Sequence, residues 1–368
     1  MAFASGLSTQ LISDCQHVSG ERAPTCGCVS RRSRREILRG SAAVTVGALL
    51  AACGQEQRVN TPTAAATRTI IIPTLIPSRI PVSSPARLPI EFVSRTDHDL
   101  RYPTALATDR QGNVYAIDAG NQRVQKFDSR GQFLTMWGDV GDGNGQFVFR
   151  ISGPIPGGIA VNERGTVYIS DYYDRVQAFD STGRFLLQWG NHGTGDGQFD
   201  FPTGMAVDGQ GMVYVGDAGN HRIQKFDRYG HFLLQWGRQG SGDAAFMYPS
   251  GIAVNRHNQV IVGDADNSRM QIFDDTGHFL AAWGNPSASA VQSECQPGVA
   301  VDRQGNIYVV RNNSDHIEKF DQDGRAFGTW GSTGTGDGQF IYPSGIAVDA
   351  HGSVYVADVI GGRIQKFR

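Results

Sequence analysis

Cysteine is scarce in this chain of 368 residues: there are five, and four of them, Cys15, Cys26, Cys28 and Cys53, fall within the first 53 positions. Beyond that point only Cys295 remains, so no intramolecular disulfide can brace the rest, which must be held by its own core. Long apolar runs are missing as well. The small, apolar stretch from Gly40 to Ala52 has about a dozen residues, short of the roughly 20 that a permanent membrane-spanning helix needs. Positive charge is not in excess either. Positions 90–368 carry 23 Lys plus Arg against 31 Asp plus Glu, a net of −8. That balance repels phosphate backbones, so nucleic acid is not expected as a partner.

The first 53 residues have the layout of an export signal. Ser33-Arg34-Arg35-Glu36-Ile37-Leu38-Arg39 resembles a twin-arginine motif, and Leu50-Ala51-Ala52-Cys53-Gly54 resembles the lipobox of bacterial lipoproteins. That resemblance implies removal of the leader up to Cys53, lipidation of Cys53, and a protein held at the outer face of the cell membrane. The 30 residues ahead of the arginines make an unusually long leader, consistent with a translation start further downstream. Residues 54–89 follow as a linker. Prolines at 62, 73, 77, 81, 85 and 89 exclude helix and central strand and leave an extended tether. At about 3.1 Å per residue it would reach roughly 110 Å.

Residues 90–368 are repetitive. The five tryptophans, Trp137, Trp189, Trp236, Trp283 and Trp330, are each followed by glycine and are spaced by 52, 47, 47 and 47 residues. A fixed period near 47 means one supersecondary unit repeated. Each unit divides into four short strands, exemplified by Gly251–Val254, Val213–Val215, Arg222–Phe226 and Phe232–Trp236. Asp-x-x-Gly turns such as Asp227–Gly230 separate the third and fourth. Four-stranded antiparallel units in series predict an all-β fold, a six-bladed β-propeller.

The runs Tyr342-Pro343-Ser344-Gly345-Ile346-Ala347-Val348-Asp349, Gly352–Asp358 and Arg363–Phe367 resemble the NHL repeat, and similar runs start near Tyr102, Ile155, Phe201, Tyr248 and Cys295. The sixth unit ends at Arg368 after its third strand, whereas Ile90-Glu91-Phe92-Val93 stands ahead of the first unit without a partner. Pairing the two would close the ring through the chain ends and cover a sheet edge. A monomeric ring is expected.

Alternating connections fall on opposite ends of such a disc. Second-to-third and fourth-to-first loops share one face, which carries the longer and more variable segments and is the expected binding face. There the Asp-x-x-Asn-x-Arg motif recurs as Asp118/Asn121/Arg123, Asp217/Asn220/Arg222 and Asp264/Asn267/Arg269. Recurrence from unit to unit favours a structural role, with the acid and amide capping a loop and the arginine pairing with the acid. Ligand contacts are therefore sought where the repeat breaks. Unit 2 has Asp171-Tyr172-Tyr173-Asp174-Arg175, with Arg150 in the longer loop ahead of it; unit 5 has Arg311-Asn312-Asn313-Ser314-Asp315-His316; unit 6 has Val359-Ile360-Gly361-Gly362. Tyr172, Tyr173, Arg150, Arg311, Asn312 and His316 are the candidate ligand contacts.

Catalytic signatures are sparse. Gly193–Phe199 and Gly334–Phe340 lack the Lys-Ser/Thr and the following helix of a phosphate loop, and their phenylalanines are expected to plug inward. Asp139, Asp142 and Asn144 miss the spacing of a standard calcium loop. Propellers similar to this one, the lactonase-like and amidating-lyase types, hold a central metal with acids or histidines. Here the inner strands begin at Thr104, Gly157, Thr203, Ser250, Pro297 and Ser344, with no acid among them. No three histidines or acids within one unit have metal-ligand spacing, which leaves open only ligands converging from separate units. No cofactor and no metal are expected. Cys295 lacks a companion pattern for a nucleophile. The resulting expectation is a surface-displayed binding or scaffold module for a protein, peptide or glycan; the alternatives are a metal-dependent hydrolase or lyase outside the cytoplasm and, less favoured, RNA binding.

Overall fold

A computed structural model describes residues 88, 90–96, 98–150, 157–284, 298–311 and 314–368. The export signal, Cys53, nearly all of the tether, Cys295, Pro297 and Asn312 lie outside the described residues. The described chain forms 24 strands in six four-stranded antiparallel sheets. Strand β1 (Phe92–Thr96) comes first. Blade 1 is β2 (Pro103–Thr108), β3 (Val114–Asp118), β4 (Arg123–Phe127) and β5 (Phe133–Trp137). Blade 2 is β6 (Ile159–Val161), β7 (Val167–Asp171), β8 (Arg175–Phe179) and β9 (Phe185–Trp189). Blade 3 is β10 (Pro202–Val207), β11 (Val213–Asp217), β12 (Arg222–Phe226) and β13 (Phe232–Trp236). Blade 4 is β14 (Pro249–Val254), β15 (Val260–Asp264), β16 (Arg269–Phe273) and β17 (Phe279–Gly284). Blade 5 is β18 (Val299–Val301), β19 (Ile307–Arg311), β20 (His316–Phe320) and β21 (Ala326–Trp330). Blade 6 is β22 (Pro343–Val348), β23 (Val354–Asp358) and β24 (Arg363–Phe367), completed by β1.

The expected strand boundaries hold for the third and fourth strands and are short for the first two. In blade 4 the first strand begins at Pro249, two residues before Gly251, because a register shift between Pro249 and Ile252 carries the pairing up to Asp264. In blade 3 the second strand extends to Asp217, which pairs directly with Arg222 at the hairpin end. The acid and the arginine of the polar motif are thus the last rungs of a ladder.

The core lies between blades. Strands of the second rank are buried along their length, apart from Arg311 at the end of β19, whereas the outer strands of blades 1, 2 and 4 alternate half-buried and exposed. Tyr214, Ile223, Trp236 and Phe246 from blade 3 form one cluster with Ile252, Val260, Val262 and Phe273 from blade 4. Near the axis the strands approach so closely that a Cβ on Gly204 would lie 2.1 Å from Ser250 O. At the rim the Trp189 indole covers Gly230, whose φ of +84° also favours glycine. Lysines latch neighbouring turns: Lys225 Nζ donates to Asp275 O at 2.7 Å and Lys366 Nζ to Ser129 O at 2.7 Å.

The ring closes through the chain ends. Phe92, Ser94, Arg95 and Thr96 pair antiparallel with Phe367, Lys366, Gln365 and Ile364. Glu91 and Arg368 exchange two backbone hydrogen bonds of 3.0 Å. The strand begins at Phe92, later than the expected Ile90; ahead of it Leu88 donates its amide to Thr329 O of blade 5 at 2.8 Å, and Leu88, Ile90 and Phe92 pack against the cluster between blades 5 and 6.

Candidate functional site

In blade 3 the polar motif is a closed network. Asp217 is fully buried, and its Oδ2 accepts from Arg222 Nε at 2.7 Å, Asn220 Nδ2 at 2.9 Å and Gln224 Nε2 at 2.9 Å. Its Oδ1 accepts from the Asp200 amide at 2.8 Å. The arginine's other nitrogens donate to Thr194 O, Gly195 O and Gln198 O at 2.8 to 2.9 Å. Burial raises the Asp217 carboxyl above its ordinary value, against these bonds. Asp264, Asn267 and Arg269 repeat the pattern in blade 4, with Arg269 Nε to Asp264 Oδ2 at 2.7 Å. In blade 1, Arg123 reaches Asp118 at 2.8 Å and also Asp99 at 2.8 Å, while Asn121 donates to Asp118 at 2.9 Å. The guanidinium groups face the loop carbonyls, not the solvent.

The same network accounts for the glycine-rich segments. Gly193 N–H donates to Phe199 O, Gly195 N–H to Gln198 Oε1 and Gly197 N–H to Gln224 Oε1. The Phe199 and Phe340 side chains are fully buried. Those amides face the loop's own acceptors, so they form no anion cradle.

Blade 5 rebuilds the network with its charges exchanged. Arg311 takes the place of the aspartate, Glu318 that of the glutamine and His316 that of the arginine. Arg311 Nε donates to Glu318 Oε2 at 2.8 Å, and His316 Nε2 lies 3.6 Å from Glu318 Oε1. The bond to Glu318 raises the His316 pKa above its ordinary value. Burial alone would raise Glu318, but His316 and Arg311 outweigh it and hold that carboxyl below the usual range. Glu318, absent from the candidate residues, is what binds the two that were named.

Blade 2 differs in another way. It keeps the buried pair, Arg175 to Asp171 at 3.1 Å, and places Tyr172 and Tyr173 in the shortened turn between β7 and β8. The Arg150 guanidinium lies 4.4 Å over the Tyr172 ring, and that ring meets Phe201 edge-on at 5.9 Å. Tyr173, 42 % exposed, stands beside Arg175, whose guanidinium is 5.4 Å from its ring. Tyr172, Tyr173 and Arg150 therefore come together on the loop face between blades 2 and 3. Arg311 and His316 sit three blades away, on the opposite side of the ring.

Directly beside this ledge is a convergence that no single unit shows. Asp174, in the left-handed region at φ +56°, accepts the Phe201 amide on Oδ1 at 2.9 Å. Its Oδ2 lies 2.9 Å from His192 Nδ1, which in turn is 4.0 Å from Asp200 Oδ1. Burial raises the Asp174 carboxyl above its ordinary value, opposed by the bonds from Phe201 and His192. The central channel, by contrast, is lined by Thr104, Gly157, Gly204, Gly251, Gly298 and Ser344 with the apolar residues of the same inner strands, while Thr203 and Ser250 are fully buried. Thr203 Oγ1 donates to Pro249 O at 2.9 Å and Ser250 Oγ to Gly263 O at 3.3 Å, so both hydroxyls belong to the frame.

The family model of the NHL repeat matches residues 100–127, 199–226, 246–273 and 340–367, which are blades 1, 3, 4 and 6. Blades 2 and 5, whose loops depart from the pattern, lie outside the four matches. A stretch of 128 residues is 31 % identical to mouse peptidyl-glycine alpha-amidating monooxygenase, covering 32 % of this chain and 13 % of that protein. Another, of 116 residues, is 28 % identical to the Drosophila melanogaster protein brain tumor, covering 31 % and 10 %. Both matches thus span a small part of those relatives. A streptogramin B lyase structure is similar with a TM-score of 0.51 at 15 % identity, over 72 % of this chain and 78 % of that one. A gluconolactonase from Xanthomonas campestris is similar with a TM-score of 0.52 at 15 % identity, over 73 % and 86 %. At such identities the likeness is one of fold. With six blades sharing one strand pattern and four of them matched by the family model, the protein is a six-bladed β-propeller that carries NHL repeats in blades 1, 3, 4 and 6.

Proposed function

We propose that the propeller is a binding module, and that the loop face between blades 2 and 3 takes a protein, peptide or glycan ligand. The observation that carries this reading is the ledge of Arg150, Tyr172 and Phe201 with Tyr173 at its edge. Aromatic side chains and arginine are the groups that dominate binding energy at protein interfaces, because they bury large areas at low entropic cost. The remaining motif arginines are directed onto loop carbonyls, Arg222 onto Thr194 O and Arg269 onto Gly242 O, and do not contribute to the ledge. Under the same proposal the leader and Cys53 present the module on a lipid anchor outside the membrane, at the end of the proline-rich tether. Hydrolase or lyase chemistry in the channel is the less favoured reading, since the described residues that line it contribute two hydroxyls, glycines and apolar side chains, not acids or imidazoles.

Cross-linking in intact cell envelopes, with recovery of partners by wild type and by Tyr172→Ala plus Tyr173→Ala, tests the reading. Partner recovery is expected to fall at least about tenfold in the double variant, with unchanged thermal unfolding. Equal recovery would remove blade 2 as the binding site.

A further inference from the structure

The Asp174, His192 and Asp200 side chains are drawn from two blades and three loop positions. Asp174 is in the turn before β8, His192 in the loop after β9, and Asp200 just ahead of β10. Each offers one ligand atom, and the three atoms lie within 4.8 Å of one another. Donors on a tetrahedral ion with bonds of about 2.0 to 2.2 Å sit roughly 3.3 to 3.6 Å apart. The separations of 2.9 and 4.0 Å about His192 Nδ1 straddle that value. His192 is 72 % exposed, so its ring can swing by the few tenths of an ångström required.

The fold itself needs only part of this group. Between blades 5 and 6 the counterpart of Asp174 is Asp315, whose Oδ1 accepts the Tyr342 amide at 2.8 Å as Asp174 accepts Phe201. Asp315 Oδ2 there meets a threonine hydroxyl, Thr333 Oγ1, at 2.8 Å, and the position matching Asp200 is Ile341. Between blades 1 and 2 the three positions are Gln122, Val140 and Val148, and between blades 3 and 4 they are His221, Gln239 and Met247. Of these four junctions, that of blades 2 and 3 alone supplies an imidazole and two carboxylates at the three positions. The imidazole and the Asp200 carboxylate are surplus to the framework.

Room for that carboxylate comes from Gly219. A Cβ at this position would sit 2.6 Å from both Cγ and Oδ2 of Asp200. Gly219 N–H also donates to Asp200 O at 2.8 Å, which fixes the backbone that carries the acid.

We infer that Asp174, His192 and Asp200 form a site for one divalent first-row transition ion of the zinc or cobalt type. Two carboxylates neutralise the ion's charge, and the imidazole favours such ions over magnesium and calcium, which prefer all-oxygen shells. Three protein donors leave at least one coordination position open, on the loop face beside Tyr172. The inference does not depend on the ligand of that face, because ion binding is measured directly.

The test is equilibrium dialysis of the full chain against zinc, with visible absorption of the cobalt form as a second readout. His192→Ala plus Asp200→Asn removes the surplus donors and leaves Asp174 to hold Phe201. Gly219→Ala keeps every donor but displaces the Asp200 carboxylate. Comparison with wild type cancels any ion held elsewhere in the full chain. Wild type is expected to bind one more ion than the double variant. Gly219→Ala is expected to bind that ion at least about tenfold more weakly and, because its methyl group would also lie 2.8 Å from Asp200 O, to unfold more readily without metal, whereas the double variant keeps the metal-free unfolding of wild type. The site is refuted by equal stoichiometry in wild type and the double variant, or by magnesium at equal concentration displacing the ion.

Discussion

Arg311 donates to Glu318 at 2.8 Å across adjacent strands of blade 5, in the two places where the other blades hold an aspartate and a glutamine. The exchange preserves an acid–base contact while reversing which strand carries the charge. Glu318→Gln strands a half-buried guanidinium and is expected to cost about 1–2 kcal/mol in chemical unfolding. Restoring the common pattern with Arg311→Asp, His316→Arg and Glu318→Gln together is expected to return most of that loss. Additive damage from the three changes would show that blade 5 is not an exchanged copy of its neighbours.

The His316 and Glu318 pair also sets a pH dependence. The folded pKa of His316 is raised, so its contribution is full below the ordinary histidine value of about 6.5 and is lost as pH rises through the folded value. The folded pKa of Glu318 is lowered, so its contribution is present above about 4.5 and is lost as pH falls through the folded value. The stability difference between wild type and His316→Gln, from urea unfolding, is therefore expected to be largest between about pH 5 and 6 and to shrink above pH 7. A difference that is flat or grows above pH 7 would contradict the pairing.

Breaking the buried pair of blade 3 has a larger effect. Asp217→Asn leaves Arg222 without its counter-charge inside a network closed to water, at an expected cost of about 3–5 kcal/mol. Arg184→Ala, which removes only the surface pair with Asp180 and leaves that carboxylate to close its turn, is expected to cost no more than about 1 kcal/mol. Unfolding curves for the two variants, side by side, check the contrast.

Two glycines separate close packing from mere turn chemistry. Gly204→Ala pushes a methyl group toward Ser250 O on the next inner strand and is expected to destabilise the ring by about 3 kcal/mol or more. Gly209→Ala meets nothing within 4 Å and is expected to be close to neutral. Deleting residues 88–96 removes β1 and exposes the edge of β24, and is expected to lower the unfolding midpoint of the whole ring in one transition. An unchanged midpoint would sink the closure.

Much of the fold was legible in the sequence because repetition turns weak local signals into a strong one. Each Trp-Gly end and Asp-x-x-Gly turn is ordinary alone, and five in register are not. Ring closure could be read from one missing strand at the C-terminus and one spare strand before the first unit. The site was legible only in part. Tyr172 and Tyr173 stood out as breaks in the pattern, and the structure sets Tyr172 under Arg150 and Tyr173 beside Arg175. Arg311 and His316 also stood out, but their partner Glu318 looks like a simple glutamine replacement until strand pairing sets it opposite Val309, beside both. Asp174, His192 and Asp200 carry no local spacing signal, since their convergence depends on how one blade follows the next.

The central claim, that the loop face of blade 2 engages a ligand, is tested most directly by hydroxyl-radical footprinting of the protein in intact envelopes against the detached domain. Tyr172 and Tyr173 are expected to be protected in the envelope, while Tyr229, 61 % exposed in the Asp227–Gly230 turn of the opposite face, keeps its reactivity. Equal labelling of Tyr172 and Tyr173 in the two states, or protection confined to Tyr229, would contradict it.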